Sequence, residues 1–409
     1  MRVLLCVYDC CPDAGSEPGT GWQFAQLAAR HHEVWALTKA SKRDAILAHP
    51  DSAAINWCFI DVPERLGPLR TGSSWGDVVH ILRWFRPALA RARELHASIG
   101  FDLAHYVTFG AYWIPHPFGQ LGVPLVFGPL TGADPPDPVL ARSAGLRFRA
   151  TAAGRDVLRR ALMRTPRWQR FATDPRTVVV TTTEATAEAV LRAGAHAVVR
   201  HRPSFALSRA QVATVAAYPT AEQTGGPLRF SCTGRLVGWK GHAFAIRAMP
   251  LVLAHHPDAQ LHVLGRGPRR RRLDALAASV GVAEHVVFHD GLDRDAERRR
   301  IADSHVFVLP SVRDAGSTIM VHAMAMGRPI AAFNTGAVGR VVGDAALLAH
   351  PKRPRDAVAA LAAVMIRLGD DAELRHRLGC RGRKRVAELF DRELLLGDLE
   401  AWYRRAVDG

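Results

Sequence analysis

The chain has 409 residues, 48% of them hydrophobic and 7% aromatic, and carries a formal net charge of +16. That length suits two domains rather than one core, and that composition excludes a disordered or collagen-like chain. No apolar run approaches the ~18 residues that span a bilayer, and the apolar run within residues 1–8 is too short for a signal-peptide core, so a cytoplasmic location is expected.

Short β-branched or apolar runs alternate with helical stretches along the whole chain. In the first half Val3–Val7, Glu33–Thr38, Ile55–Ile60, Leu103–Val107, Leu125–Phe127 and Val178–Thr182 read as strands. Patterns of period 3.6, such as Trp22–Arg30 and Val78–Ala97, separate several of them. In the second half Arg229–Thr233, Leu261–Leu264, Val286–Phe288, Val306–Leu309 and Ile330–Phe333 read as strands, with helices near 242–255, 268–280, 294–304 and 318–326. Two βαβ series of this kind predict two doubly wound parallel sheets. The polar stretch Tyr218–Pro227, with Gly225-Gly226-Pro227, places the boundary between a first domain of 1–217 with its linker and a second of 218–384. A final helix is expected over Arg385–Arg405, within 385–409.

The six cysteines form no CxxC pair and no zinc-like spacing, which fits a reduced compartment. Charge is concentrated: ten arginines lie between Arg142 and Arg176, against only Asp156 and Asp174. The stretch is either a solvated helical face or a surface for an anionic acceptor or the anionic face of a membrane, with Leu158, Leu162, Trp168 and Phe171 making it amphipathic. No nucleic-acid-binding motif accompanies it.

Two segments carry the strongest chemical signal. Thr233-Gly234-Arg235-Leu236-Val237-Gly238-Trp239-Lys240-Gly241 runs a strand into a glycine-flanked turn with two cations. Ser311-Val312-Arg313-Asp314-Ala315-Gly316-Ser317-Thr318 opens a helix whose N–H groups suit an anion, and that helix carries His322. Arg235 forks onto two phosphate oxygens, Lys240 supplies a mobile point charge, and flanking glycines admit close backbone approach. The combination reads as a diphosphate site; either segment alone reads as a surface turn or a capped helix start, with Asp314, Ser317 or Thr318 as the cap. Asp293-Arg294-Asp295 has a metal–diphosphate form, but it immediately precedes a helix and is more simply a cap, so no metal is expected.

The first segment resembles the GRL…KG donor loop of glycosyltransferase family 4, the retaining GT-B enzymes. The second, continued through "TIMVHAMAMGRPI", resembles that family's Glu-x7-Glu segment, with Asp314 and His322 at the two acidic positions. "GSEPGTGWQFAQLAARHHEVWALT", "FDLAHYVTFG" and "LGVPLVFGPLTG" are similar to three N-terminal segments in the family's order. The resemblance implies a GT-B fold: two doubly wound Rossmann-like domains facing a central cleft, with a nucleoside-diphosphate sugar as donor on the C-terminal domain and no cofactor. The acceptor, a glycan, lipid-linked or small natural-product molecule, would bind the N-terminal domain. The C-terminal helix would cross back to that domain or simply cap the second.

By the same resemblance, His105, Arg235, Lys240 and Asp314 carry the chemistry, His105 touching the transferring sugar and Asp314 holding its hydroxyls. Gly19, Gly21, Gly265, Gly267, Phe288, Gly316, Ser317, Thr318 and His322 join Arg235, Lys240 and Asp314 around the donor, Gly19 and Gly21 from the first βα loop and Phe288 beside the nucleobase. No carboxylate nucleophile stands near His105 in sequence, which agrees with front-side displacement in which the leaving phosphate takes the acceptor proton. His322 departs from the family pattern. A glutamate would accept from both ribose hydroxyls, whereas a neutral imidazole accepts one, which leaves a catalytically weak or inactive GT-B-like binding subunit as the alternative. An unperturbed histidine there would also titrate near pH ~6.5.

Overall fold

A computed structural model of the chain describes residues 1–12, 14–62, 74–143, 146–200 and 205–409. It divides into two compact units, one of Met1–Ala133, Arg155–Phe205 and Glu393–Gly409, the other of Asp134–Gly154 and Ala206–Arg392.

The first unit is built on a seven-stranded parallel sheet: β1 Arg2–Val7, β2 Glu33–Lys39, β3 Asn56–Ile60, β4 Leu103–Thr108, β5 Leu125–Leu130, β6 Thr177–Thr181 and β7 Ala197–Arg200. Their spatial order is β3-β2-β1-β4-β5-β6-β7. Val3 through Val7 are wholly buried, as expected of a parallel strand covered on both faces. Trp84, Phe85, Tyr106, Phe118, Phe127, Trp168 and Phe171 are among the aromatic residues of this core.

The second unit has a six-stranded parallel sheet: β8 Arg229–Thr233, β9 Gln260–Leu264, β10 Val286–His289, β11 Val306–Leu309, β12 Ile330–Phe333 and β13 Ala346–Ala349. The order is β10-β9-β8-β11-β12-β13. Phe230, Ile246, Met249, Leu261, Phe333, Leu361 and Met365 fill its core.

Four departures from the sequence reading have local causes. The outer strands β7 and β13, not read from the sequence, are four residues long and half-exposed, unlike the fully buried β11 and β12 of equal length. The first helix spans Ser16–Ala28, six residues earlier than its apolar periodicity, so Gly19 and Gly21 lie within the helix rather than in a loop. The helix expected over Arg385–Arg405 is two, Ala372–Leu389 and Arg392–Asp408. Leu207 causes the break: its N–H donates to the Phe390 carbonyl at 2.8 Å and its carbonyl accepts from the Arg392 N–H at 3.1 Å. Finally, the units part at Phe205/Ala206, because helix Arg209–Ala216 packs on helices Arg294–Ala302 and Thr318–Ala325 of the second sheet.

Helix Arg392–Asp408 contributes Trp402, stacked on Phe24, to the first unit. Among the described residues no helix is long and apolar enough to cross a membrane.

Candidate functional site

In the second sheet the strand order reverses between β8 and β11, so the loops after these strands diverge above their C-terminal ends. This is where ligands enter doubly wound sheets. The two loops are stitched together: the Val312 N–H donates to the Trp239 carbonyl at 2.9 Å. Gly241 holds φ +72°, and a Cβ there would lie 1.8 Å from the Pro310 carbonyl oxygen, so only glycine permits the approach.

The approach brings Lys240 to Asp314, Nζ to Oδ2 at 2.9 Å, with the side chains only 15% and 3% exposed. Asp314 Oδ1 accepts from the Gly316 N–H at 3.1 Å, and the Ser317 hydroxyl reaches both carboxylate oxygens at 3.0 Å. Burial works to raise the Asp314 pKa, but the charge and hydrogen bond of Lys240, with the Ser317 and Gly316 donors, outweigh it and hold the carboxyl below its usual range. The ammonium also lies 4.9 Å from the centre of the Trp239 ring. Arg235, one turn of loop away, is exposed and has no acidic partner among the described residues. Thr318 begins the helix Thr318–Ala325, with Ser317 at its N-cap.

The loop after β9 fits against the start of the loop after β8. A Cβ on Gly265 would fall 2.3 Å from the Gly234 carbonyl oxygen, and one on Gly267 2.6 Å from the Leu236 nitrogen. Phe288 is covered by the Arg270 guanidinium, 3.9 Å from the ring centre. His322 is buried, and its Nδ1 has no hydrogen-bond partner among the described residues. Burial, helped by the nearby Arg298 and Arg294, pushes its pKa down to about 3, far from the ordinary histidine value. The ring is therefore neutral at every pH near 7. Sequence reading missed Glu297, whose Oε1 takes the Thr233 hydroxyl at the end of β8; its place in an arginine-rich helix gave no signal.

Asp293 is a helix cap, its Oδ1 accepting from the Ala296 N–H at 2.7 Å. Asp295 pairs instead with Arg299 and Tyr218. Among the described residues no group of three or more histidines, cysteines or acids is placed to hold a metal.

His105, Gly19 and Gly21 belong to the first unit. His105 is wholly buried. Its Nδ1 meets the Tyr403 hydroxyl at 2.9 Å and its Nε2 the Gly128 carbonyl at 2.8 Å, so both ring nitrogens are spent inside the core. Burial lowers its pKa to about 4 against the raising effect of Gly128. A Cβ at Gly19 would meet the Ala14 carbonyl oxygen at 2.1 Å, and one at Gly21 the Asp9 carbonyl oxygen at 2.5 Å. Gly19 lets the helix close on the loop that precedes it, and Gly21 lets it sit hard against Asp9, just past β1.

That strand end holds groups the sequence reading passed over. Asp9 Oδ1 pairs with Lys39 Nζ at 3.0 Å and with Lys42 Nζ at 3.9 Å. Glu17 Oε2 accepts from the Gly110 N–H at 3.2 Å. Burial raises the Glu17 pKa to about 7, against the Gly110 hydrogen bond and with some help from the Asp9 charge. Its only sequence signal was an acid inside a glycine-rich turn.

The arginine-rich stretch divides by position. Arg159 is buried, donating to the Gly132 carbonyl at 3.1 Å and to Asp156 at 3.2 Å, and Trp168 and Phe171 are core residues. Arg160, Arg164, Arg167 and Arg170 are exposed. The apolar side of the segment thus serves the core of the first unit.

Residues 227–371 match the family model described as Glycosyl transferases group 1. The chain is similar to a GDP-mannose-dependent alpha-(1-6)-phosphatidylinositol monomannoside mannosyltransferase of Mycolicibacterium smegmatis, 35% identical over 28% of this chain and 31% of that protein. It is similar also to a 2-deoxystreptamine glucosyltransferase of Streptomyces kanamyceticus, 31% identical over 45% of this chain and 47% of the other. The chain thus spans between about a third and a half of the length of these curated relatives. Across 99% of its length it superposes on 98% of sucrose-phosphate synthase from Thermosynechococcus elongatus, with a TM-score of 0.71 and 20% identity. With two Rossmann-like parallel sheets, this likeness shows the GT-B fold.

Proposed function

We propose that the protein, a GT-B chain whose second unit carries a Glycosyl transferases group 1 domain, moves a sugar from a nucleoside-diphosphate sugar to a hydroxyl acceptor. The observation that carries the reading is the Lys240–Asp314 pair at the switch point of the second sheet, with exposed Arg235 beside it and the Gly316 N–H and Ser317 hydroxyl facing the same carboxylate. On this reading Arg235 and Lys240 meet the diphosphate. Asp314, kept ionised, takes sugar hydroxyls, and Phe288 and His322 lie toward the nucleoside.

The departing diphosphate gains negative charge as the anomeric carbon becomes oxocarbenium-like. Fixed cations and N–H donors stabilise that charge without a metal. The transfer is retaining: the leaving phosphate oxygen takes the acceptor proton on the face it departs from. His105, with both nitrogens engaged, acts by holding β4 against helix Arg392–Asp408 rather than by touching sugar. The acceptor binds the first unit. Relatives named for phosphatidylinositol monomannoside and for 2-deoxystreptamine leave lipid-linked and natural-product acceptors both in view. The protein works in the cytoplasm, and the exposed arginines of the Arg142–Arg176 stretch draw it to anionic membrane.

His322 favours a second reading, a binding subunit with weak turnover, because a neutral ring with one buried nitrogen replaces a two-hydroxyl acceptor. Thermal-shift titration with UDP, GDP, ADP and dTDP tests both, since ligand at 100 times its Kd adds about 2.7 kcal/mol of stability. Mass spectrometry of products from a donor-by-acceptor matrix then separates them: binding without product supports the subunit, and no nucleotide binding removes both.

A further inference from the structure

The first sheet has its own switch point, between β1 and β4, and Asp9, Thr108 and Gly110 stand just where those two strands end. Thr108 and Asp9 lock the two ends together: the Asp9 N–H donates to Thr108 Oγ1 at 3.2 Å, and the Thr108 hydroxyl donates to the Asp9 carbonyl at 3.1 Å. On this platform lie two carboxyl groups in different states. Asp9 is committed to Lys39 and Lys42. Glu17 holds one backbone N–H through Oε2, and its other oxygen has no hydrogen-bond partner among the described residues.

An acid in the first turn of a helix ordinarily bonds the N–H groups of that turn. Glu17 instead reaches Gly110, ninety-three residues along the chain. Gly110 is itself constrained, since a Cβ there would lie 2.7 Å from the Pro129 carbonyl oxygen and 3.6 Å from Glu17 Oε1. The Pro129 carbonyl is what demands glycine here, while Oε1 stays at ordinary van der Waals distance. We propose that Glu17, held on the Gly110 N–H beside the lysine-paired Asp9, is the group by which the first unit takes a hydroxyl of a polyhydroxylated acceptor. This rests on the glycosyltransferase reading and gives its acceptor side a named residue.

Among the described residues, the titratable and charged groups near Glu17 are Asp9 just past β1, with Lys39 and Lys42 beyond it, Cys10 and Cys11 on the same loop, and Tyr106 on β4. With its carboxyl pushed up to about 7, Glu17 changes charge across neutral pH. The ionised form makes the stronger, charge-assisted hydrogen bond to a hydroxyl. Acceptor binding therefore strengthens as pH rises through 7 and weakens below it.

The test uses the full chain, wild type and Glu17→Gln, with octyl α-glucoside, octyl α-mannoside and 2-deoxystreptamine as probes. Saturation-transfer NMR at pH 6 and pH 8 reads probe binding, and calorimetry with UDP and GDP on the same samples reads nucleotide binding. The expected result is a probe that wild type binds several-fold more tightly at pH 8 than at pH 6. Glu17→Gln should bind it about tenfold more weakly than wild type at pH 8, without the pH step, while nucleotide affinity stays within twofold. Binding of none of the probes, or equal binding by Glu17→Gln, overturns the assignment of Glu17. Loss of nucleotide binding by the wild type would instead overturn the donor reading. Glu17→Asp, which retains charge but shortens reach, should keep the pH step with weaker binding if the carboxyl itself meets the hydroxyl.

Discussion

Lys240 and Asp314, seventy-four residues apart in the chain, form one buried ion pair of 2.9 Å above the switch point of the second sheet. Read as isolated motifs they had separate duties, a phosphate cation and a sugar-binding acid. Their contact makes each the condition for the other. Asp314 stays ionised in a buried place because Lys240 faces it, and Lys240 is oriented because Asp314 and Trp239 flank it.

Removing one partner should therefore do two things. Lys240→Ala leaves a buried carboxylate uncompensated, a loss of roughly 3–5 kcal/mol in comparable buried pairs. On the proposed reading it also removes a leaving-group donor, for a fall in turnover on the order of 10²–10³. Arg235→Ala, being exposed, should lose similar turnover with little stability. Urea unfolding alongside initial rates checks this; equal stability losses for the two variants would contradict the assigned geometry.

Acid should weaken the same pair. The folded-state Asp314 carboxyl lies below its ordinary value of 3.8, so its contribution is complete above that pH and is lost as pH falls through the folded value. His322 acts over a wider window: its folded pKa of about 3 lies below the unfolded 6.5, so the unfolded chain binds the extra proton between them. Stability should fall progressively as pH drops from 6.5 toward 3. Melting temperature against pH, for wild type and His322→Leu, measures that slope, and an unchanged slope in the variant would assign it elsewhere.

How far the sequence displayed these features depended on whether they were local. Long core strands and the glycine-flanked Arg235–Lys240 turn announce themselves within about ten residues. The Leu207 contact that divides helix Ala372–Leu389 from Arg392–Asp408 does not, since its partners are distant in the chain. Glu17 was hidden for the same reason: its meaning comes from Gly110 and Asp9. His105 carried a catalytic expectation from its motif, yet its surroundings give both nitrogens to the core.

His105 should accordingly behave as a fold residue. His105→Ala strands the Tyr403 hydroxyl and the Gly128 carbonyl, each costing roughly 1–3 kcal/mol when left unsatisfied. Tyr403→Phe should destabilise less, and the two changes should be non-additive because they share one hydrogen bond. Nucleotide affinity measured where both variants are folded should stay near wild type. A stable His105→Ala protein with abolished turnover would restore a direct role at the sugar.

The exposed arginines give a charge test free of the core. Changing Arg160, Arg164, Arg167 and Arg170 to Ser leaves Arg159 and its Gly132 and Asp156 contacts in place. If the stretch meets anionic membrane, sedimentation with phosphatidylserine vesicles should weaken by about 1 kcal/mol per charge near the surface. Unchanged sedimentation, or none by wild type, would leave a solvated face.

The sharpest prediction concerns His322. Its ring is neutral across pH 5.5–8, so the titration near 6.5 that an exposed histidine would show should be absent from nucleotide affinity. Arg294 and Arg298, which help push the proton off His322, would favour a carboxylate in its place. On the proposed reading His322→Glu should thus remain folded and gain a charge-assisted hydrogen bond to ribose, worth roughly 1.5–3 kcal/mol, less any repulsion from the diphosphate. Calorimetric titration of both proteins with the nucleotide selected by thermal shift, from pH 5.5 to 8, gives the comparison. Tighter binding by the variant with a flat wild-type profile supports the ribose-facing position. A folded His322→Glu protein that binds no nucleotide would show that the neutral imidazole has a task of its own.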